Sequence, residues 1–364
     1  MNNFSIGFIG LGLIGGSIAK SIRRIFPDYN IIGFDNDEAT LRAAKDDGTL
    51  TEYTHDIKTI GGCNYIFLCA PVHYNIEYLK ELKPFLSDNT ILTDVGSVKL
   101  DIYEAVKEMG LSEYFVGGHP MVGSERSGYD AASDRLIENA YYFITPAEDV
   151  QPGKTDEFST FIGDLGAIPI TYSPVEHDRI TSYISHVPHI IAASLVNLVS
   201  AADSPDNIFK SLAAGGFKDI TRIASSNPVV WEHILLANPD NIVNGLQEYI
   251  ELINKMIYYI KGSDGQGINR FFASARKYRD SIPNNSSGVI RMHHELFVDI
   301  PDESGAIAKV TMHLANADIN LKNLGVSHNR EDEEGVLRLS FYDDDARGAA
   351  EAILGKAGYK IYNR

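Results

Sequence analysis

The stretch Ser5-Ile-Gly-Phe-Ile-Gly-Leu-Gly-Leu-Ile-Gly-Gly-Ser-Ile-Ala19 decides the fold of this chain. An apolar strand runs directly into the turn Gly10-Leu-Gly-Leu-Ile-Gly15, and a helix with an apolar face follows. In this context the first glycine permits a tight turn, the second lets the backbone approach a pyrophosphate, and the third lets helix and strand pack closely. The start of the helix adds free N–H groups and a partial positive charge. The stretch predicts a dinucleotide site made of Gly10, Gly12, Leu13, Ile14 and Gly15.

An acidic residue follows the second apolar segment. Asp35 comes directly after Asn30–Phe34 and lies 20 residues beyond Gly15. A carboxylate there accepts hydrogen bonds from ribose hydroxyls and repels a 2′-phosphate, so we expect NAD rather than NADP. Ala70 and Pro71, which follow the third apolar segment, complete the expected cofactor contacts. Two plainer interpretations stay open, in which the turn binds nothing or Asp35 is a solvated loop carboxylate.

The first half of the chain alternates between strand-like and helix-like segments. This alternation predicts an α/β domain over residues 1–173, with a Rossmann-type doubly wound parallel sheet and helices on both faces. The later segments Ala140–Thr145 and Ile168–Tyr172 are expected to extend the sheet. The other predicted elements are the strands Ser5–Ile9, Asn30–Phe34, Tyr65–Ala70, Thr90–Thr93 and Phe115–Gly117, and the helices Gly15–Phe26 and Glu38–Asp47.

Two further domains follow. Residues 174–282 have almost only helical periodicity, with helices expected at Asn241–Lys261 and Ile268–Ile282 and a long helix around Pro188 that the proline is expected to kink. Residues 283–291 have the composition of a flexible linker. Residues 292–364 predict the order βαββαβ of a ferredoxin-like domain. Its expected elements are Glu295–Ile300, Gly305–Ala317, Ile319–Ser327, Val336–Tyr342, Ala346–Ala357 and Tyr359–Tyr362, with an acidic turn at Asn329–Gly335.

Composition excludes several classes of protein. The chain has 364 residues, a formal net charge of -17 and a hydrophobic content of 44%, as expected for a globular protein that does not bind nucleic acid. Its two cysteines, Cys63 and Cys69, are too far apart along one extended segment to form a disulfide. We therefore expect reduced thiols and a cytoplasmic protein. We find neither a secretion signal nor an apolar stretch long enough to cross a membrane.

Two polar side chains follow predicted strands at the edge where ligands bind. Such ligands lie beyond the carboxyl ends of the strands of an open sheet. His119 lies just after the fifth strand and Ser97 just after the fourth. Histidine suits proton transfer near neutral pH, which a dehydrogenase acting on an alcohol needs. The alternative is that His119 only caps backbone groups in a loop.

Three segments resemble prephenate dehydrogenases, and the resemblance covers residues 4 to about 280. They are Gly117-Gly-His-Pro-Met-Val-Gly-Ser-Glu-Arg-Ser-Gly128, Ser185-His-Val-Pro-His189 and Gly215-Gly-Phe-Lys-Asp-Ile-Thr-Arg-Ile-Ala224. The resemblance implies oxidative decarboxylation of prephenate. A hydride passes from the hydroxyl-bearing ring carbon to NAD, the ring carboxylate leaves as CO2, and 4-hydroxyphenylpyruvate forms.

The same resemblance implies roles for particular residues. His119 bonds the ring hydroxyl and helps remove its proton, with Ser97 in the same network, and Arg222 binds a substrate carboxylate. No metal is implied. The substrate-binding residues are Arg222, Lys218, His189, Glu125, Gly215 and Trp231. Plainer alternatives stay open for some: a solvated basic face for Lys218 and Arg222, a surface carboxylate for Glu125, and a core position for Trp231.

Residues 292–364 resemble an ACT domain, on the segments Leu296-Phe-Val-Asp-Ile-Pro-Asp-Glu-Ser-Gly-Ala-Ile-Ala308 and Ala317-Asp-Ile-Asn-Leu321. ACT domains commonly pair and bind an amino acid at the pair interface. The resemblance implies feedback inhibition by tyrosine and a homodimer, although a purely structural dimerisation module is the alternative. The expected regulatory residues are Ser304, Gly305, Ala306 and Asn320.

Two other functions remain open from the sequence. In the first, an enzyme of the same fold acts on arogenate, the amino counterpart of prephenate. The pocket that binds the side chain of the substrate would decide between the two substrates. A catalytically silent sensor of NAD and an amino acid is the third hypothesis. The presence of His119, Ser97 and Arg222 together argues against the sensor.

Overall fold

A computed structural model describes residues 4–123, 126–282, 294–301, 303–328 and 334–362. The chain divides into two compact units, Met1–Gly288 and Val289–Arg364. Of the sequence-based expectations, the linker 283–291, Glu125 and most of the acidic turn 329–335 lie outside the described residues. The two units are described separately.

The first unit begins with a parallel five-stranded sheet. Its strands are β1 (Ser5–Ile9), β2 (Asn30–Phe34), β3 (Glu52–Tyr53), β4 (Tyr65–Leu68) and β5 (Ile91–Asp94), in the order β3-β2-β1-β4-β5. The helices α1 (Leu13–Ile25), α2 (Glu38–Asp46), α3 (Val72–Leu82) and α4 (Leu100–Glu108) alternate with the strands. Two apolar clusters enclose the sheet, as its continuously apolar strands require. The order in which successive strands are added to the sheet reverses between β1 and β4. In open α/β sheets, ligands bind in the crevice at such a point, beyond the carboxyl ends of the strands.

Three later strands form a second, smaller sheet. They are β6 (Val116–Pro120), β7 (Tyr141–Pro146) and β8 (Ile168–Thr171), with α5 (Pro152–Asp164) between the last two. β6 and β7 are antiparallel. Within its described residues, the segment between them contains a short 3-10 turn and no crossover helix, which a parallel pair would need. A single parallel bridge, Leu92 to Phe115, joins this sheet to β5. The expected extension of the main sheet is therefore a separate sheet at its edge.

Helices make up the remainder of the first unit. A π-helix, Ser182–His186, interrupts the long helix just before Pro188, because proline supplies no N–H to the preceding turn. The expected disturbance at Pro188 thus takes the form of a π-turn. The helices are α6 (Pro174–Thr181), α7 (Val187–Ala202), α8 (Ile208–Leu212), α9 (Gly215–Thr221), α10 (Pro228–Ala237), α11 (Pro239–Lys261) and α12 (Gly265–Ser281).

One sequence-based expectation about membranes is wrong. The continuous helical run Pro174–Ala202 is 29 residues long and apolar enough to cross a bilayer by length and composition. The length of this apolar helix was not recognised in the sequence, because polar residues interrupt the run near its start. Among them, His177, Asp178 and His186 are buried in the protein. Length and composition alone are weak evidence for a span, because the core helix of a soluble protein passes the same test.

The second unit has the predicted order βαββαβ. Its elements are β9 (Glu295–Pro301), α13 (Ala306–Ala315), β10 (Asn323–His328), β11 (Glu334–Ser340), α14 (Asp344–Lys356) and β12 (Ile361–Tyr362). All strand pairs are antiparallel, in the order β10-β11-β9-β12. Leu296, Val298 and Ile300 alternate towards the helices, where they pack on Val310 and Leu354. This is the ferredoxin-like topology.

Candidate active site

The glycine turn has the geometry that a dinucleotide requires. Gly10 has φ 94°, a conformation that side chains rarely adopt. A Cβ at Gly15 would lie 2.3 Å from the carbonyl oxygen of Gly10 and 2.9 Å from the Cβ of Cys69. A Cβ at Gly12 would meet nothing within 4 Å. Gly10 and Gly15 are thus required by the packing, whereas Gly12 faces open space at the start of α1.

Asp35 lies beside this turn. One carboxylate oxygen accepts from the backbone N–H of Leu11 at 2.7 Å and the other from that of Asp37 at 2.9 Å. The half-buried carboxylate therefore has a fixed direction, and each oxygen keeps a lone pair for a further donor. This position fits the ribose contact expected from the sequence.

The loop after β4 completes the cofactor side of the site. Asn75, buried on α3, accepts from the N–H of Ala70 at 3.2 Å and donates to its carbonyl at 2.8 Å. Pro71 caps the N-terminus of α3. Asn75 thus fixes the loop Ala70–Pro71. This role could not be predicted from the sequence, because an asparagine inside a helix is usually a surface residue.

His119 is the first member of a buried chain of hydrogen bonds. It lies within β6, whereas the sequence predicted it just after the strand, and its Nδ1 lies 2.8 Å from Nε2 of His177. Nδ1 of His177 lies 2.7 Å from Oδ1 of Asp178. The Asp178 carboxylate also accepts from the N–H groups of Lys99 at 2.8 Å and Leu100 at 3.0 Å. This chain joins β6 to α6 and to the start of α4.

Burial keeps these imidazoles neutral. It lowers the pKa of His119 well below its usual value, and His177, Lys99 and His186 act in the same direction. Burial likewise lowers the pKa of His177 to about 2 and that of His186 to about 4. Burial raises the pKa of Asp178, whereas the backbone N–H groups of Leu100 and Lys99 oppose this rise.

An ion pair between two buried side chains lies behind His119. The ammonium of Lys99 contacts the carboxylate of Asp94 and donates to the carbonyl of Gly118 at 2.7 Å. Asp94 in turn accepts from the N–H of Gly118 at 3.2 Å and from that of Gly96 at 2.9 Å. The backbone carbonyl and N–H of Gly118, the residue before His119, are thus both hydrogen-bonded to this ion pair.

Ser97 lies half-buried in the loop between β5 and α4, two residues before Lys99. Within the described residues, the side-chain partner recorded for the His119 ring nitrogens is His177, and no hydrogen bond joins Ser97 to His119. The predicted place of Ser97 in the network of His119 thus stays a prediction, and the partner that the structure shows is His177.

On the helical side, His186 and His189 follow one another along the π-turn and α7. Nδ1 of His186 lies 3.4 Å from the amide nitrogen of Asn238, which also donates to the carbonyl of Asp178 at 2.7 Å. His189 stacks on Trp231, with ring centroids 3.9 Å apart, and its Nδ1 faces the carbonyl of Ser185 at 2.9 Å. His189 and Trp231 line a cavity of about 220 Å³ with apolar walls.

The predicted carboxylate anchor lies near this cavity. Arg222 begins the 3-10 turn Arg222–Ser225, and its charge is among the causes that lower the pKa of His189. Lys218 lies on α9, which Gly215 begins, and both are exposed. The structure therefore brings together Arg222, His189 and Trp231, while Glu125 lies outside the described residues.

A continuous line of ionisable groups joins the two sides of the site. His186 is among the groups that lower the pKa of both His119 and His177. His189 lowers the pKa of His186, and Arg222 that of His189. The charges between β6, which carries His119, and the helical segment that carries Arg222 thus affect one another in series.

The sequence analysis missed His177, Asp178, Lys99, Asp94 and Asn238. One signal was available for the first two, since they follow the capping box Ser173–Glu176 at the point where the chain leaves the sheet and begins the helical part. A His–Asp pair at such a boundary is worth testing as part of a site. Lys99 and Asp94 gave no signal, because a charged residue after a strand is ordinarily solvated.

In the second unit, three of the four expected regulatory residues lie at the start of α13, and the fourth lies in the loop that follows this helix. Gly305 has φ 86° and caps α13, Ala306 is its first residue and is buried, and Ser304 is exposed before it. Asn320 is exposed in the loop before β10. Apart from the buried Ala306, these residues are open to solvent at the start of α13 and in the loop after it.

Two families match the chain in succession. Residues 18–170 match the family described as "Prephenate dehydrogenase, nucleotide-binding domain", and residues 173–274 match "Prephenate dehydrogenase, dimerization domain". The first match begins within α1, after β1 and the glycine turn, and covers β2 to β7 and most of β8. The second covers the helices that carry His177, His189, Arg222 and Trp231.

Individual relatives agree with these matches. The chain is 38% identical to a prephenate dehydrogenase of Bacillus subtilis, over 97% of this chain and 96% of the relative. A crystal structure of prephenate dehydrogenase from Aquifex aeolicus, in complex with hydroxyphenyl propionate and NAD+, has 30% identity and a TM-score of 0.72 over 78% of this chain and 99% of that one. A Synechocystis arogenate dehydrogenase has 30% identity and a TM-score of 0.69 over 77% and 100%. The chain therefore belongs to the prephenate dehydrogenase family.

Proposed function

We propose that this chain catalyses the NAD-dependent oxidative decarboxylation of prephenate to 4-hydroxyphenylpyruvate and CO2. The observation that carries the proposal is His119 on β6, which a buried hydrogen-bond chain holds and whose neighbour Gly118 bonds to Asp94 at the carboxyl end of β5. Ligands bind beyond the carboxyl ends of the strands in open α/β sheets. Family membership and the Aquifex relative's complex with NAD+ support the same reaction.

The residues around the glycine turn fit NAD. The open space at Gly12 and the start of α1 suit a pyrophosphate, and Asp35 suits unphosphorylated ribose hydroxyls. When bound, NAD accepts the hydride that leaves the ring carbon bearing the hydroxyl. The protein's task is to orient the ring, hold the hydroxyl and exclude water.

The hydrogen-bond chain determines which nitrogen of His119 acts. The carboxylate of Asp178 accepts hydrogen bonds from two backbone N–H groups. Because an ionised carboxylate has no donor, Nδ1 of His177 must also donate to it. Nε2 of His177 is then an acceptor, and Nδ1 of His119 donates to it. This assignment leaves the lone pair on Nε2 of His119 for the substrate hydroxyl.

The proton balance of the reaction suits such a base. His119 takes the hydroxyl proton as the hydride leaves, which forms a ring carbonyl. The bond to the ring carboxylate then breaks, its electrons make the ring aromatic, and the same oxygen takes the proton back. No proton is gained or lost overall, so a buried imidazole can complete the cycle without exchanging a proton with solvent.

The substrate's carboxylates require cations on the helical side. We assign one carboxylate to Arg222, whose planar guanidinium suits bidentate pairing, with Lys218 as a second cation. We place His189 and Trp231 beside the ring, with Gly215 at the start of α9. Glu125, which lies outside the described residues, stays a prediction from the sequence.

Arogenate is the second candidate substrate, since the Synechocystis relative is an arogenate dehydrogenase. An absorbance assay of NADH formation separates the candidates. We expect turnover with NAD and prephenate, much slower turnover with arogenate, and little with NADP because of Asp35. Turnover with arogenate alone would reverse the substrate assignment, and turnover with neither would leave the silent sensor.

We further propose that the chain is a homodimer that pairs through its helical segment. The matched family for residues 173–274 is described as a dimerization domain. Large apolar side chains are exposed along these helices, among them Leu198, Ile250, Ile253, Ile257 and Phe272. A second copy would cover them, which accounts for the apolar character of Pro174–Ala202 without a membrane.

Finally, we propose that the second unit is an ACT domain through which tyrosine inhibits the enzyme. Its ferredoxin-like sheet supports this assignment, and so does the exposed turn Ser304–Gly305 before α13. Free N–H groups at the start of a helix suit a carboxylate. Asn320 lies in the loop that follows α13. The match to the Aquifex relative covers 78% of this chain. The first unit, Met1–Gly288, makes up a similar share of the chain.

Truncation tests the regulatory role. We expect tyrosine to slow NADH formation by the full-length protein and to leave a version that ends at Ser281 unaffected, because the first unit is compact without the second. Both versions should have similar turnover in the absence of tyrosine. Equal inhibition of both versions would move the tyrosine site to the active site, and no inhibition of either would make the second unit purely structural.

A further inference from the structure

We propose that the buried pair Asp94–Lys99 is a positioning device for the reaction, in which the pair fixes the peptide next to His119 and the charge of Lys99 adds to the effect of burial on that imidazole. The inference deepens the proposed function, because it assumes that His119 is the base. Neither residue touches the position of the substrate hydroxyl, so both act through His119.

The first step is that the pair is charged and enclosed. Lys99 is 1% exposed and Asp94 is fully buried. Asp94 accepts from Gly96, Gly118 and Lys99. Burial lowers the pKa of Lys99, and the charge and hydrogen bond of Asp94 offset only part of this lowering. Two charges that leave water together in this way need a structural or functional reason.

The second step is the clamp on Gly118. Lys99 holds its carbonyl and Asp94 holds its N–H, so the peptides on both sides of Gly118 are fixed. A Cβ there would lie 2.8 Å from the carbonyl oxygen of Asp94 and from the ring of Tyr142, so the close approach needs glycine. Since His119 is the next residue, the clamp sets the direction in which its side chain leaves β6.

The third step is the electrostatic balance at His119. Its neighbours are His177 and His186, Phe143 stacks beside it, and Asp178 lies behind His177. The carboxylate of Asp178 favours a positive charge on the two imidazoles. Lys99 opposes it, since its charge is among the causes that lower the pKa of His119 and of His177.

This balance has a consequence for the reaction. A protonated His119 has no lone pair for the substrate hydroxyl, so activity is lost wherever the imidazole takes up a proton. With Lys99 in place, that loss begins only well below pH 6.5, the usual value for histidine. Without the charge, we expect the loss to begin at higher pH.

The test is the pH dependence of kcat/KM for Lys99→Met, which keeps the length of the side chain and removes its charge. We expect the acidic limb to move up by about one pH unit, the order of magnitude for one charge near the imidazole in a protein interior. We also expect lower turnover at the optimum, because the clamp is lost. Lys107→Met is the control, since Lys107 is exposed on the same helix α4 and pairs with Glu148 at the surface.

A second variant covers the case in which Asp94, left unpaired, unfolds the protein. Asp94→Asn with Lys99→Met removes both buried charges, and neutral replacements of buried pairs are often tolerated. Lys99 and not Asp94 is among the groups that act on His119, so the limb should move in the same direction by a similar amount. An acidic limb unchanged in both variants would overturn the proposal and leave the pair with a structural role alone.

Histidine titration gives a readout that does not depend on turnover. NMR of protein labelled at histidine carbons, with the His119 signal assigned from His119→Asn, should give a higher pKa in Lys99→Met than in the wild type. If the wild type does not oxidise prephenate, the proposed function fails, and this titration still tests the effect of Lys99. An unchanged His119 titration would reject the electrostatic part.

Discussion

At the scale of single residues, His119 depends on partners that are remote in the sequence. Its ring is fixed by His177, 58 residues later, and the peptide before it by Lys99, 19 residues earlier than Gly118. Asp178 then selects the tautomer of both rings. The reactive lone pair is therefore the product of three elements, β6, α4 and α6, that meet only in the folded protein.

Replacement of His119 by Asn tests its role as the base. Asparagine keeps polarity and approximate size but cannot take up a proton, so we expect kcat to fall by about 10²–10⁴-fold while NAD binding survives. NADH formation and calorimetric NAD titration give the two quantities. His313→Asn, an exposed histidine of the second unit, is the control. Near-normal turnover of His119→Asn would exclude the residue from proton transfer.

The same scale explains which site residues the sequence could reveal. His119 follows an apolar strand, and His189 and Arg222 lie in motifs that resemble a known family, so local sequence was enough to propose them. Lys99 and Asp94 look like ordinary charged residues after a strand, and only their burial reveals a role. Because contacts between distant segments determine burial, no local pattern could have indicated it.

At the scale of elements, the glycine turn provides a matched pair of substitutions. Gly12→Ala adds a methyl group into open space, at φ -73° where alanine is relaxed. We expect normal thermal stability and weaker NAD binding, because the methyl group would occupy the space assigned to the pyrophosphate. Gly15→Ala would press on Gly10 and Cys69, and we expect a loss of about 1–3 kcal/mol in the free energy of unfolding.

Thermal melts and NAD titrations check the pair. The interpretation requires that the two substitutions separate, with binding affected in Gly12→Ala and stability in Gly15→Ala. If Gly12→Ala binds NAD as tightly as the wild type, the cofactor does not approach the turn there. If Gly15→Ala melts at the wild-type temperature, the close packing of α1 against the loop after β4 is looser than the structure indicates.

Elements with local signals were predicted well. The strands β1 and β2 have the expected bounds, because apolar runs between turn residues define them. The separate sheet of β6, β7 and β8 was not expected, since strand direction depends on how the chain returns between β6 and β7. The π-helix before Pro188 was expected only as a kink, because a proline disturbs a helix without determining which hydrogen-bond pattern replaces the regular one.

At the scale of the whole molecule, the exposed apolar side chains have to be explained. On α11 the residues Ile250, Ile253, Ile257 and Ile260 are spaced by three and four, so they form one face, and they are 42–61% exposed. A row of isoleucines in water is a poor surface for a monomer. Their spacing is that of helices that pack against one another, which favours a second copy over a bilayer.

Substitution on this face tests the dimer. We expect the wild type to have a mass near twice 40.1 kDa by light scattering. Ile253→Glu with Ile257→Glu should reduce it towards the monomer, because two carboxylates would be buried without partners. Lys255→Glu makes the same change of two charge units on the opposite face of α11 and should leave the dimer intact. If the double variant keeps the wild-type mass, the row of isoleucines lies outside the interface, and another surface must join the copies. If instead Lys255→Glu also dissociates them, net charge rather than apolar contact controls the assembly.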